Sequence, residues 1–403
     1  MSALPAKTME ILTGNRDEWK ENLICNDKGN PKPLLANCTT ALRNSPEWRD
    51  VLGFNDFSLS VAAICETPWG RTGTWTDNDD RLAAEWLQNN GLHVPVEIAG
   101  QAVQTVANER RFHPVREHLR HLKWDGKHRA ETWLRDYLGV EDSNYSRAVA
   151  GRFLLASVAR IFQPGAKVDT CLILEGAQGI QKSTALRVIA EPWFSDEIAD
   201  LGTKDASLQC AGVWLIELSE LDSMSKSDIA KIKAFMSRNT DRFRPPYGRR
   251  IIESPRQCVF AGSVNHSTYL RDETGGRRFW PVQCGKIDIP RLKDERDRLW
   301  AEAVALFDAG KPWWLDSEEL VQAASIEQEA RYDGDPWDEL IAKWTVMRQD
   351  ISVSEVLSEC LDKPKGQWTQ ADKNRVARSL RATGWERYNA RTEAGREWRY
   401  RHA

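Results

Sequence analysis

The chain is 403 residues long, 41% hydrophobic and 29% charged, with 56 Lys and Arg against 59 Asp and Glu and a net charge of −3. Such a length holds two or three domains with real cores, and the composition excludes whole-chain disorder. It equally excludes a protein whose whole surface coats nucleic acid, so any such contact must be local.

No apolar run approaches the roughly 20 residues of a membrane span. The first residues, Met-Ser-Ala-Leu-Pro-Ala-Lys, lack the apolar heart of a signal peptide. The expectation is a cytoplasmic protein without membrane contact. Eight scattered cysteines with no Cys-x-x-Cys spacing indicate neither a disulfide framework nor a zinc knuckle. The 18 Trp, spread along the chain, read as packing residues.

In chain order, residues 1–105 mix turn-rich pieces at 26–33 and 67–70 with helix-like stretches such as Asp79 to Asn89, and no fold is assigned to them. From Val115 to Phe162 apolar residues recur at helical spacing, broken at Trp124-Asp125-Gly126 and near Leu138-Gly139. This predicts a helical, collar-like region over 106–169, and with it a mainly helical N-terminal flank. His118 and His121 share a helical face there, but no matching carboxylate or Cys set accompanies them. With seven Lys or Arg against three acids over 107–130, an exposed basic helix is the better reading.

Over 170–315 the pattern changes. Short apolar runs (Cys171 to Leu174, Val213 to Leu218, Cys258 to Ala261) alternate with helical segments, which predicts an α/β core with a parallel sheet and crossover helices. The first run enters Gly176-Ala177-Gln178-Gly179-Ile180-Gln181-Lys182-Ser183-Thr184 and then a helix, the strand, loop and helix context of a phosphate-binding P-loop. Loop N–H groups and the helix start would cradle phosphates, Lys182 would reach the β and γ phosphates, and Ser183 would complete a Mg²⁺ shell. The usual spacing puts glycine directly before the lysine, whereas this chain has Gln181 there and a glycine at Gly179.

A nucleotide triphosphatase also needs carboxylates at a strand end for metal and water. Glu217 and Glu220 supply candidates, Glu217 for Mg²⁺ and Glu220 for the attacking water, although the roles could be exchanged. The third run ends at Asn265, which would stand beside the γ phosphate if its strand neighbours that of Glu217. Arg277 and Arg278, after the Gly275-Gly276 pair, could project to a phosphate in a neighbouring subunit. Between these motifs, 238–256 carries six Lys or Arg against two acids. It reads as a hairpin turning at Tyr247-Gly248, with Arg242, Arg244, Tyr247, Arg249 and Arg250 suited to single-stranded nucleic acid.

After an acidic linker at 316–334, residues 335–403 read as a small separate domain. Its helix over 371–384 carries Lys373, Arg375 and Arg378, and a basic hairpin follows it. With Ile351 to Leu361 as an earlier helix, this is the tail of a winged-helix-like domain for duplex DNA.

Trp124-Asp-Gly, Pro164-Gly165, the Gly176 to Thr184 loop, Glu217-Leu-Ser-Glu-Leu and Thr274-Gly-Gly-Arg-Arg-Phe-Trp-Pro together resemble the virulence-associated protein E family of phage, satellite and prophage elements. That family is similar to superfamily 3 helicases of the AAA+ class. The resemblance covers about 105–310. It implies that Gly176, Gly179, Lys182 and Ser183 match the Walker A loop, Glu217 and Glu220 the Walker B segment, and Asn265 the sensor. Arg277 or Arg278 matches a finger acting across a subunit interface, and the 242–250 hairpin the strand-engaging loop. It further implies ATP and Mg²⁺ as cofactors and a homo-oligomeric, hexameric ring.

The expectation is therefore an ATP-dependent DNA helicase or translocase in the replication of a phage or mobile element, acting on single-stranded and forked DNA. The first hundred residues show no paired-carboxylate or zinc-ribbon primase pattern, so the expectation is a motor without primase, whose first hundred residues either form a collar that holds the ring together or dock a polymerase or separate primase. The alternative is a nucleotide-gated replication initiator or regulator with little hydrolysis, which Gln181 and the basic tail motivate.

Overall fold

The computed structural model describes residues 18–197, 204–219, 226–245, 250–265, 276–331, 336–392 and 395–402. They divide into two units, one running to Gln328 and the other from Glu329 onward.

The first unit opens with helix α1 (Leu35–Asn44), strands β1 (Leu52–Asn55), β2 (Ser60–Ala63) and β3 (Gly73–Thr74), helices α2 (Asp77–Asn89) and α3 (Val96–Ala107), and strand β4 (Arg111–Phe112). These strands form a sheet ordered β3-β2-β1-β4. The N-terminal flank is therefore mixed rather than mainly helical. Its sheet closes through a parallel pairing of Phe54 with Arg111 and Asn55 with Phe112, a partnership no local pattern announces. Helix α2 begins where Thr76 and Asp79 exchange capping hydrogen bonds, the reciprocal arrangement that satisfies two helix-start donors.

Three helices follow: α4 (Pro114–His121), α5 (Trp133–Leu138) and α6 (Asn144–Phe162). The breaks at 124–126 and 138–139 fall between them, and Gly139, with φ +64°, ends α5 in the left-handed conformation that glycine adopts without strain. Helix α6 is buried on nearly every side, so it forms the spine of the unit rather than an amphipathic cover.

The α/β core contains β5 (Cys171–Glu175), α7 (Lys182–Ala190), β6 (Phe194–Ser195), α8 (Lys204–Gln209), β7 (Leu215–Ser219), α9 (Lys226–Met236), β8 (Thr240–Phe243), β9 (Ile252–Pro255), β10 (Val259–Val264) and β11 (Phe279–Gln283). A five-stranded sheet runs β11-β5-β10-β7-β6, parallel at every junction. Strands β5, β7 and β10 are almost wholly buried, as expected of a sheet covered on both faces. Helix α10 (Ile289–Asp308) packs on α6 and α7. There the Trp300 ring lies 4.2 Å from that of Trp214, tilted by 36°, and its Nε1 donates to the Ile189 carbonyl at 2.8 Å. Helix α11 (Glu318–Ala330) follows.

Strands β8 and β9 pair antiparallel from Thr240 opposite Pro255 to Phe243 opposite Ile252. The expected hairpin is thus present at its base, while its expected tip residues Tyr247 and Arg249 lie outside the described residues.

The second unit comprises α12 (Pro336–Thr345), β12 (Asp350–Ser352), a short helix α13 (Val353–Glu355) continued by a π turn at Val356–Cys360, α14 (Gln370–Ala382), β13 (Trp385–Thr392) and β14 (Gly395–His402). Ile351 and Ser352 are strand rather than helix because they pair with Tyr400 and Arg399. The helix begins only at the Ser352–Glu355 capping box. Ile341, Ile351, Val356, Leu357, Val376, Leu380, Trp385 and Tyr400 make its own core. No helix among the described residues is long and apolar enough to cross a membrane.

Candidate nucleotide site

The loop between β5 and α7 lies at the carboxyl end of the parallel sheet, where the dipoles of strand-following helices point their positive ends at a ligand. Gly176 has φ +144°, and a Cβ there would come 2.6 Å from Ile180 Cδ1, so the first loop position is reserved for glycine. Gln181 takes φ +73° and ψ +29° with its side chain exposed. The loop thus keeps a left-handed residue before the lysine, at a cost of about 1–2 kcal/mol for a residue bearing Cβ.

Lys182 is buried and its Nζ donates to the carbonyls of Gly176 at 2.7 Å and Ala177 at 3.0 Å and to Asn265 Oδ1 at 3.2 Å. The amine is thereby fixed between the loop and the end of β10. Ser183 Oγ donates to Glu217 Oε1 at 2.7 Å, and Ser263 Oγ donates to the same oxygen at 2.7 Å. Glu217 is 1% exposed, and among the described residues its Oε2 has no hydrogen-bond partner. A buried carboxylate oxygen left bare costs several kcal/mol unless a cation or donor meets it. An oxygen donor set of one carboxylate and one hydroxyl suits Mg²⁺.

β10 is inserted between the loop strand and the acidic strand, pairing Ala261 with Glu217 on one side and Val264 with Glu175 on the other. This adjacency brings Asn265 to Lys182. Ser263, which shares Glu217 with Ser183, was not singled out in the sequence; its only signal there is a polar residue one turn of the pleat from Asn265. Beneath the loop, burial pushes the Cys284 thiol up to about 12, beside Lys182 and Glu175.

Arg277 and Arg278 stand at the opposite end of the sheet, immediately before β11, whose Phe279 pairs with Cys171. The five-residue β5 separates them from their own loop by about 16 Å. Arg277 is exposed, whereas Arg278 is half-buried against Asp169 and Ser237. Glu220 lies outside the described residues.

At the hairpin, Arg242, Arg244 and Arg250 are exposed, and Arg242 stands 4.0 Å from Glu253 across the ladder. The hairpin base was not foreseen as a site. There Arg256 and Asp241, both buried, pair through Nε–Oδ2 at 2.8 Å and Nη2–Oδ1 at 2.5 Å. In the second unit Lys373 is exposed, while Arg375 lies 3.8 Å over the Trp337 ring and Arg378 is half-buried. Among the described residues no group of three or more His, Cys, Asp or Glu converges for a metal, and Trp124-Asp125-Gly126 forms a turn in which Asp125 pairs with Arg129 at 2.8 Å.

The virulence-associated protein E-like domain matches residues 119–332, more than half of the chain. The protein belongs to that family. Two solved apo structures of the NrS-1 C-terminal region (305–718) are similar. One, at 12% identity with a TM-score of 0.46, covers 87% of this chain and 95% of its own. The other, an A form, at 10% identity with a TM-score of 0.46, covers 87% and 96%. No curated protein matches the chain.

Proposed function

We propose that the protein is an ATP-driven motor on DNA, a helicase or translocase serving replication of a phage or mobile element. The observation that carries this reading is the convergence of Lys182, Ser183, Glu217 and Asn265 at the carboxyl end of one parallel sheet. That is the set a nucleoside triphosphate with Mg²⁺ requires. ATP would lie along residues 176–184, with Lys182 on its β and γ phosphates. Ser183 and Glu217 would hold Mg²⁺, which when bound neutralises charge developing on the phosphates.

Asn265 then stands beside the γ phosphate and Glu220 orients the attacking water. Arg277 or Arg278 would serve the phosphate of a neighbouring copy, because their own loop is a strand's length away. Assembly as a ring, probed by light scattering with and without nucleotide, follows from that separation. The basic hairpin with Arg242, Arg244, Tyr247, Arg249 and Arg250 would engage single-stranded DNA. The order of the second unit, a helix, a strand, two helices and a hairpin, supports reading it as a winged-helix-like domain, in which exposed Lys373 would meet duplex phosphate.

Phosphate release from ATP, with and without single-stranded DNA, tests the motor. DNA-stimulated turnover lost in Lys182→Ala and Arg278→Ala, with strand displacement on a fork, is the expected result. Gln181 favours a second reading, a nucleotide-gated initiator. Tight ATP binding with no phosphate release in the wild type would give it the lead.

A further inference from the structure

Among the described residues Arg278 is held by a single atom. Its Nε donates to Ser237 Oγ at 3.1 Å and also makes its nearest approach to Asp169, 3.6 Å from Oδ2. The Ser237 hydroxyl itself donates to the Lys233 carbonyl at 2.8 Å, which leaves its lone pairs to accept from the guanidinium. An arginine anchored through Nε has its plane fixed while its two terminal nitrogens remain available as a fork for an anion. Arg278 also lines a cavity of about 480 Å³ together with Lys167, Asp169 and Trp280, so the fork has room in front of it.

The two anchors belong to different parts of the fold. Asp169 precedes β5, the strand that delivers the phosphate loop. Ser237 directly follows α9, which ends at Met236, and stands three residues before β8 opens the hairpin at Thr240. A shift of the hairpin limb must pass through residues 237–239 and therefore reaches the Arg278 anchor. The bond from the Arg278 guanidinium to the Ser237 hydroxyl is a single charge-assisted hydrogen bond, which can be made and broken in a working cycle.

We propose that Ser237 and Asp169 are positioning residues for Arg278, and that Ser237 conveys engagement of a nucleic-acid strand at the β8–β9 hairpin to the aim of this arginine. The inference rests on the reading of Arg278 as the group that serves a neighbouring copy's phosphate. Asp169 sets the resting direction by charge, and Ser237 makes that direction depend on the hairpin.

The test uses the full chain and compares Ser237→Ala, Ser237→Thr and Asp169→Asn with wild type in ATP turnover over a range of single-stranded oligonucleotide concentrations. For Ser237→Ala, kcat at saturating oligonucleotide falls about tenfold, a typical coupling magnitude, while KM for ATP and the oligonucleotide dissociation constant stay unchanged. Ser237→Thr, which keeps the hydroxyl, restores stimulation. Asp169→Asn lowers kcat with and without oligonucleotide. Full stimulation in Ser237→Ala overturns the proposal, as does an equal loss in Ser237→Thr, which would make the effect one of packing. Wild-type turnover that ignores DNA overturns it while leaving the ATPase intact; no wild-type turnover removes the motor reading itself and this inference with it.

Discussion

The Ser183 hydroxyl and Glu217 Oε1 meet at 2.7 Å, joining the start of α7 to the middle of the sheet across 34 positions of sequence. Because Ser263 takes the same oxygen, one side of the carboxylate is fully engaged and Oε2 is bare among the described residues. Such asymmetry is poor for stability and good for binding a cation, since the partner that would offset the buried charge is the ligand itself.

Glu217→Gln separates these two effects. The amide oxygen can accept both serine hydroxyls, so thermal unfolding without ligand stays at or above the wild-type midpoint. In wild type, ATP with Mg²⁺ at about a hundredfold over its dissociation constant adds about 2.7 kcal/mol of stability. The variant loses most of that increment. A variant stabilised as much as wild type by Mg²⁺ and ATP would show that Glu217 does not hold the metal.

Gln181→Gly addresses the left-handed loop residue. The position costs a Cβ-bearing residue about 1–2 kcal/mol, partly offset by the greater entropy glycine loses on folding. Urea unfolding should therefore give a gain of about 0.5–1 kcal/mol. Because the Gln181 side chain is exposed and the loop already has the required backbone, nucleotide affinity changes by less than about threefold, within the same energy scale. A large gain in turnover would instead mean that the side chain obstructs the phosphates.

A pH dependence follows from His113, the N-cap of α4. Its Nδ1 accepts from Arg116 N at 3.1 Å, and its Nε2 stands 2.6 Å from Gln257 Oε1. Burial pushes its pKa below the ordinary 6.5, against the Gln257 hydrogen bond and with the help of Arg116. His118 is lowered by burial as well. In the window below 6.5 the unfolded chain binds more protons, so the stability these residues contribute is complete above 6.5 and is lost as pH falls through the window. Urea midpoints between pH 5.5 and 7.5 should drop on the acid side. His113→Asn keeps a capping acceptor and reduces that drop, and a wild-type midpoint flat over this range would refute the assignment.

That Lys182, Ser183, Glu217 and Asn265 belong together was legible because residue types of that kind at short spacing after apolar runs are restrictive, and the structure brings the four together. That the strand ending at Asn265 neighbours the Glu217 strand was only a condition on its role; the ladder meets that condition and sets β10 between β5 and β7, which no local pattern states. The N-terminal sheet was not legible. Its closure joins Phe54 to Arg111, and Trp48 packs within about 6 Å of Trp69, Trp75 and Trp86; such contacts follow from three-dimensional packing, not from periodicity. The charges over 238–256 were counted together, and the segment was read as a hairpin with a basic tip. Yet Arg256 is wholly buried, and nothing local distinguishes it from exposed Arg250 except that an acid, Asp241, stands at the matching end of the other limb.

That pair gives the last prediction. Asp241 and Arg256 fix the two limbs of the hairpin at its base, and Ser207 adds a hydrogen bond to Asp241 Oδ1 at 3.3 Å. Arg256 Nη1 also donates to the Phe235 carbonyl at 2.5 Å, and Arg160, itself buried, donates to the Arg256 carbonyl at 3.4 Å. Two buried guanidiniums thus stand in the field of one carboxylate, which pairs with Arg256, while Arg160 donates to the carbonyls of Arg256 and Val168. Removing one partner of a buried pair costs roughly 3–5 kcal/mol, because the remaining charge is uncompensated. Asp241→Asn should lose that much in urea unfolding, and more than Arg256→Met, which removes a charge from the cationic side. The double variant should recover part of the loss, since replacing both members of a buried pair is often neutral. If Asp241→Asn changed stability by less than about 1 kcal/mol, the scale of a surface pair, the hairpin would have to be held by its ladder alone.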